Sequence, residues 1–318
     1  MMSIGILGFV VWSLSLASPL GDKGTFIFYF AICWNSLVLI GILNDKNSIS
    51  YTQSAGNLSL YSTNCKIQSA SETIRETSFN FSVFRAYYNT LFMDTGEHLT
   101  NDWLTWFIGF IEGDGAIQTY DNGKRVRFVL TQKESAILYY IQKKLGIGTV
   151  KHFPQGTSGN KNDFYRWIVD NPSHILLLAF LFNGNLAITN RIKQLSLWIQ
   201  ALNNRFGANT ITLIDIPILI SLQDAWLSGF TDAEGCFNVS ITSNVRYTLG
   251  HVIKMRFLLD QKDSFILNKI QSLFRFGKVT LRSKTNDVYR YTATGFKPMN
   301  VIISYFNTFP LLTKKSLS

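Results

Sequence analysis

The chain has 318 residues, with 30 Lys and Arg against 20 Asp and Glu for a formal charge of +10, and with 47% apolar and 14% aromatic residues. That length accommodates two ordinary domains without disulfide support, and so much apolar and aromatic side chain excludes a disordered, collagen-like or coiled-coil chain. The positive excess calls for a polyanionic partner, either nucleic acid or an anionic membrane surface, without choosing between them. Cys33, Cys65 and Cys236 stand far apart with no CxxC, and His98, His152, His174 and His251 have no Glu or Cys at ligand spacing, which argues against a zinc site or a disulfide framework. A reducing or neutral cellular compartment is the expected setting.

Taken in chain order, residues 1–43 hold two uncharged apolar stretches, Met1–Leu20 and Thr25–Leu43. Each is near the roughly 20 residues that span a bilayer. They read either as a pair of membrane segments or as an unprocessed leader or piece of another reading frame; the early basic residues of a secretory or transit signal are missing. Residues 44–99 are rich in Ser, Asn and Thr and read as a linker with at most short helices. Residues 1–99 carry a net −1, so the +11 that attracts a polyanion resides in residues 100–318.

From residue 100 onward the sequence repeats itself. Trp106–Ile117 (WFIGFIEGDGAI) returns 120 residues later as Trp226–Phe237 (WLSGFTDAEGCF). Leu130–Ile137 (LTQKESAI) is answered by Leu259–Ile266 (LDQKDSFI), Leu145–Val150 (LGIGTV) by Phe274–Val279 (FRFGKV), and Asp163–Arg166 (DFYR) by Asp287–Arg290 (DVYR). Two copies of one α+β unit follow each other, at 100–202 and 225–318, joined by residues 203–224. In each, an apolar helix (Asp102–Gly113 in the first copy) ends at a Gly/Ala-acid-Gly turn. A β-hairpin follows, with the turn Asp121-Asn122-Gly123 in the first copy. Next come a helix carrying Ile137, Leu138, Ile141 and Leu145 at helical spacing, a strand pair around Val150 and Phe164–Val169, and closing helices over Ser173–Phe182 and Arg191–Leu202.

Small residues four apart, Gly109 and Gly113 in the first helix and Gly229 and Ala233 in the second, let two such helices touch backbone to backbone about a pseudo-twofold axis. Their C-termini would then lie side by side, each followed by an acid, Asp114 and Glu234. Two carboxylates converging where the helix dipoles are already negative repel each other, and a divalent cation relieves the repulsion. Carboxylates with backbone carbonyls make a hard, all-oxygen site suited to Mg²⁺. Such a site beneath a basic sheet describes in-line phosphodiester hydrolysis.

These paired motifs, Phe107–Gly115 (FIGFIEGDG) and Leu227–Gly235 (LSGFTDAEG), resemble those of the LAGLIDADG homing endonucleases in their single-chain, two-motif form, over residues 100–318. The resemblance implies two pseudo-symmetric αββαββα units with the motif helices at their interface and a saddle of antiparallel sheets for DNA. It implies that Asp114 and Glu234 bind Mg²⁺, with the carbonyls of Gly113 and Ala233 as further ligands, and that the first acids, Glu112 and Asp232, are structural. Gln132 and Gln261 would stand near the attacking water. A basic residue near the scissile phosphates maps to Lys315, or its neighbour Lys314, and in the first copy to Arg191, a departure from the usual Lys. An arginine binds phosphate but does not shuttle a proton, which puts equal rates on the two strands in doubt. The chain stops three residues after Lys315, where the family usually continues through a helix, so the second unit is expected to be shortened. The implied activity is site-specific double-strand cleavage, with 3′ overhangs, that promotes homing of the host intron by a monomer. An RNA maturase acting on a group I intron is the alternative. Met1–Ser13 further resembles cytochrome c oxidase subunit I, which implies translation from an upstream exon into an intron of a mitochondrial gene.

A sheet that straddles DNA should alternate apolar residues toward the helices with polar ones toward the grooves. Arg125 and Arg127 alternate with Val126 and Phe128, and Lys254 and Arg256 with Met255 and Phe257; Thr119, Asn238, Ser240 and Thr242 supply shorter donors and acceptors. These eight polar residues are the expected DNA-contact set, set against an ordinary solvated strand face.

Overall fold

In the computed structural model, residues 78–156, 162–248, 250–282 and 287–317 are described. The two N-terminal apolar stretches and residues 44–77 lie outside them. Among the described residues, no helix is long and apolar enough to cross a membrane.

The first repeat begins at α2, and a helix α1 (Ser82–Phe92) precedes it. The linker reading of residues 44–99 allows short helices, and α1 is one that is built into the fold. Phe84 and Tyr88 are buried, Tyr87 meets Phe180 edge-on at 5.2 Å, and Asn185 exchanges hydrogen bonds with the backbone of Asn80. Aromatic side chains amid Ser and Asn supply the packing surface that composition alone obscures.

Helix α2 (Asn101–Asp114) starts at Thr100, whose hydroxyl accepts from the Trp103 amide at 3.2 Å, with Asp102 in the first turn complementing the dipole. Strands β1 (Gly115–Tyr120) and β2 (Arg125–Gln132) flank a short 3₁₀ turn over Asp121–Gly123, in which Asp121 (φ 51°) and Gly123 (φ 88°) take left-handed backbone. Helix α3 (Ser135–Leu145) buries the four apolar positions expected of it and ends at Gly146 with φ 70°. Strands β3 (Thr149–Phe153) and β4 (Phe164–Val169), then helices α4 (Pro172–Phe182) and α5 (Thr189–Phe206), complete the repeat. The second repeat follows the same order through its first closing helix: α6 (Trp226–Glu234), β5 (Gly235–Ser243), β6 (His251–Gln261), α7 (Ser264–Phe274), β7 (Lys278–Leu281), β8 (Tyr289–Thr294) and α8 (Phe296–Thr308); a short 3₁₀ helix over Lys314–Leu317 stands where the first repeat has α5.

The strands form two antiparallel four-stranded sheets of identical topology, β1-β2-β4-β3 and β5-β6-β8-β7. One face of each sheet is backed by helices. Phe128 on β2 lies against Phe182 and Trp198, Trp167 on β4 meets Phe107, and in the second sheet Phe257 and Phe237 meet Phe306. Because side chains alternate across a strand, the residues between these point to the opposite, helix-free face.

Helices α2 and α6 form the junction between the repeats, and both are buried along almost their whole length, from Trp103 to Glu112 and from Trp226 to Asp232. Their approach is closer than any side chain permits. A methyl group built on Gly109 would lie 2.0 Å from the carbonyl oxygen of Trp226, and one on Gly229 would lie 1.8 Å from that of Trp106. Gly229→Ala should therefore force the helices apart and cost about 3 kcal/mol or more, at or beyond the upper end for overpacking. By contrast, Gly123→Ala, with nothing within 4 Å of the added carbon, should cost only about 1–2 kcal/mol for its left-handed backbone. Urea denaturation of the two variants would test the ranking; equal losses would refute the close contact.

Candidate active site and nucleic-acid interface

The motif helices end in contact. A side chain on Gly113 would meet the Ala233 β-carbon at 2.3 Å and the Glu234 γ-carbon at 3.1 Å, so Asp114 and Glu234 emerge side by side where two helix dipoles terminate. Asp114 accepts from the Gln132 amide at 2.7 Å, and Glu234 from the Gln261 amide at 3.3 Å. Each glutamine is the last residue of the strand that pairs with the one leaving the motif. Both carboxyls are raised above their ordinary values, in each case chiefly by burial. The neighbouring Asp114 charge adds to the rise at Glu234, which reaches about 7.

Cations close the two helix ends. Lys315 Nζ donates to the carbonyls of Thr231, Asp232 and Ala233 at 3.2, 2.8 and 2.9 Å, and Arg191 donates to those of Glu112 and Gly113, both at 3.0 Å. The carbonyls of Gly113 and Ala233, expected to stand open as metal ligands, are thus each met by a cation; a carbonyl's second lone pair leaves room for a further partner. Burial lowers the pKa of both Lys315 and Arg191, while Asp114 and Glu234 raise both. Lys314 pairs with Glu134 of the first repeat at 2.9 Å along the wall of the same cavity, and Lys315 is the one of the two that reaches the motif-helix carbonyls. A cavity of about 710 Å³ joins Asp114 and Gln132 of the first repeat to Ala233 and Lys315 of the second. The Asp114 half of the site therefore draws on both repeats.

The first acids carry the most ordered part of the arrangement. Glu112, fully buried, accepts from the amides of Ala187 and Ile188 at 2.9 and 2.7 Å and, across the junction, from the Trp226 indole at 2.7 Å. Asp232 accepts from the amides of Leu312 and Thr313 at 2.7 and 3.2 Å, from the Thr313 hydroxyl, and from the Trp106 indole at 2.8 Å. Each acid thus holds the loop that delivers its own repeat's cation and takes an indole from the other repeat. Burial pushes Glu112 up to about 7, while its donors and Arg191 oppose the rise. Sequence reasoning did not single out Trp106 and Trp226, although their recurrence as the first residue of both repeated segments was the available signal.

Strand register sorts the expected DNA-contact residues. Asn238 pairs with Arg256, Ser240 with Lys254 and Thr242 with Val252, so all five polar residues lie on the face opposite buried Phe257 and Leu259. Arg256 also donates to the Asn238 side chain at 3.1 and 2.6 Å. In the first sheet Arg125 and Arg127 share the helix-free face, held near Asp121 and Asp170 at 3.2 and 3.4 Å. Thr119 departs from expectation. It pairs with Val126 and sits on the side of buried Ile117, whereas Gln118 and Tyr120 pair with the two arginines and share their face. Counting strand parity forward from Ile117 shows this.

Paired motif helices between two four-stranded sheets, with one acid at each helix end, define a single-chain pseudo-dimer of the two-motif endonuclease type. The LAGLIDADG endonuclease profile matches residues 107–202 and 227–318, and the chain belongs to that family. It is 35% identical over 222 residues to "Probable intron-encoded endonuclease 4" of Neurospora crassa, covering 69% of this chain and 39% of that protein. It is 27% identical over 217 residues to an "Uncharacterized cox1 intron-2 37.2 kDa protein" of Schizosaccharomyces pombe, covering 66% and 61% respectively. The chain therefore spans less than two thirds of the length of either relative. The fold is shared with the LAGLIDADG meganuclease I-AabMI, solved bound to uncleaved DNA, at a TM-score of 0.50 and 21% identity over 67% of this chain and 86% of that one.

Replacing Trp226 by Phe removes one of the three N–H groups that donate to Glu112 and should lower stability by about 1–3 kcal/mol. In a double-mutant cycle with Glu112→Gln, chemical denaturation should return a coupling of at least about 0.5 kcal/mol. Additive losses would show that the indole does not hold the acid.

Proposed function

We propose that the protein is a site-specific, Mg²⁺-dependent double-strand DNA endonuclease that promotes homing of the intron encoding it. The observation that carries the reading is the juxtaposition of Asp114 and Glu234. Two carboxylates are forced together at two helix ends; burial raises both pKa values, and the Asp114 charge adds to the rise at Glu234. That donor set fits a hard divalent cation, which when bound supplies charge neutralisation and an activated water for in-line phosphodiester hydrolysis. Gln132 and Gln261 orient the two carboxylates. Lys315 and Arg191 place positive charge beside them, where a scissile phosphate would gather negative charge. The helix-free sheet faces, with Arg125, Arg127, Lys254 and Arg256, supply phosphate and base-edge contacts along a duplex.

The mitochondrial setting rests on the likeness to a cox1 intron protein and on the resemblance of Met1–Ser13 to a cytochrome oxidase subunit. The same basic surface could serve a maturase, but paired acids with their glutamines favour cleavage, because RNA binding has no need of them. Membrane contact by the N-terminal stretches remains a proposal outside the described residues, to be tested by carbonate extraction.

A duplex carrying the intronless exon junction should be cut in Mg²⁺, and Asp114→Asn and Glu234→Gln should each lower the rate by about 10²-fold or more, the scale of losing one well-placed electrostatic contact. If all three proteins cut alike, the assignment of the acids fails. Ionisation of Glu234 is harder in the folded chain than in the unfolded one. Its contribution to stability is thus fully present below its ordinary value of 4.5 and is lost as pH rises through about 7. Metal-free wild type should lose stability over that interval by more than Glu234→Gln, and Mg²⁺ at pH 8 should raise the melting temperature of wild type alone. Identical pH profiles would refute the strained pair.

A further inference from the structure

The two sheets differ at one matched pair. In the second, Arg290 on β8 stands opposite Asp260 on β6 and grips it with Nε and Nη2 at 2.6 and 2.7 Å, while Arg282 adds a contact at 3.3 Å. In the first, Arg166 holds the equivalent place on β4, at the end of the repeated DFYR/DVYR segment, but stands opposite Thr131. The carboxylate has become a hydroxyl. Among the described residues Arg166 has no hydrogen-bond or ion-pair partner, and its Nε is buried unsatisfied. The guanidinium instead lies over the rings of Phe153 and Phe164, 5.0 and 4.9 Å from their centroids. Aromatic faces steady a cation and leave its in-plane N–H groups free. A buried donor left without an acceptor is costly, so the position suits a ligand that brings oxygens.

Arg166 lines the same cavity as Asp114, Gln132 and Lys315. Resting on the endonuclease reading, we infer that Arg166 is a receptor for a backbone phosphate of the strand entering the Asp114 half of the site, a contact the Asp114 half has and the Glu234 half lacks. A planar guanidinium matches phosphate oxygens in bidentate fashion. Phosphate is favoured over a base edge because Arg166 shares its cavity with the carboxylate against which the scissile phosphate must lie. In the second sheet the Asp260 carboxylate already occupies the equivalent fork.

Binding of a fluorescent junction duplex in EDTA, measured across a range of salt concentrations, tests the assignment without cleavage. Arg166→Gln should weaken binding roughly tenfold and flatten the slope of log K against log salt by about 0.9, the loss of one phosphate contact. Arg166→Lys should restore most of the slope. Arg290→Gln, which removes a cation already paired, should leave the slope near that of wild type while lowering the melting temperature. Equal slopes for wild type and Arg166→Gln, or equal changes for Arg166→Gln and Arg290→Gln, would overturn the inference. So would a loss confined to duplexes differing at one base pair, which would mark a base contact. Failure of wild type itself to bind duplex in a salt-dependent way would sink the endonuclease reading and this contact with it.

Discussion

The structure depends on a contact between backbones. Helices α2 and α6 meet at Gly109 and Gly229, where each glycine faces a carbonyl of the partner helix at a distance no β-carbon tolerates. Dispersion and aromatic burial reinforce the contact on both sides: Trp106 stacks on Phe110 at 5.0 Å and Trp226 on Phe230 at 4.9 Å. The close approach is also what makes the site. Helices held apart by ordinary side chains would place Asp114 and Glu234 farther from each other, and Glu234 would feel the Asp114 charge less strongly.

That proximity creates an electrostatic difficulty which the fold handles through exchange between the repeats. Four acids, Glu112, Asp114, Asp232 and Glu234, gather at two negative helix ends. The first acid of each motif is saturated with N–H donors, one of them an indole from the other repeat, and so is fixed as structure. The second acid receives a single glutamine amide and keeps lone pairs free. The same residue type at positions two apart thus takes opposite roles, set by donor count. Lys315 and Arg191 complete the balance by capping the last carbonyls.

Much of this was legible in the sequence, for identifiable reasons. The repeat at 120-residue spacing disclosed the architecture, since a unit that recurs with its acids, glutamines and glycines intact must recur in shape. Helix α3 was readable because Ile137, Leu138, Ile141 and Leu145 follow a 3.6-residue period. Long-range features were hidden. Nothing local ties Trp226 to Glu112 or Lys314 to Glu134, since those pairs arise only once two repeats face each other. Helix α1 was obscured because its anchors, Phe84 and Tyr88, sit in a segment whose polar composition reads as linker. Thr119 was placed on the wrong face by composition, whereas alternation from Ile117 decides it.

Pseudo-symmetry is also where the chain departs from a true dimer. In a homodimer every contact is made twice, and a change at one site is imposed on both. Fusing the repeats removes that constraint, and the two halves have diverged in chemistry while keeping backbone topology. Lys315 on one side answers to Arg191 on the other, and Asp260 to Thr131. The first difference separates a cation able to exchange a proton from one that holds its charge. The second separates a neutralised arginine from an open one. Lys315, delivered by the second repeat, and Arg166, of the first, line one cavity with Asp114, so both differences mark that cavity. An asymmetric duplex has no twofold axis of its own, and a protein whose two halves differ can match it in a single orientation.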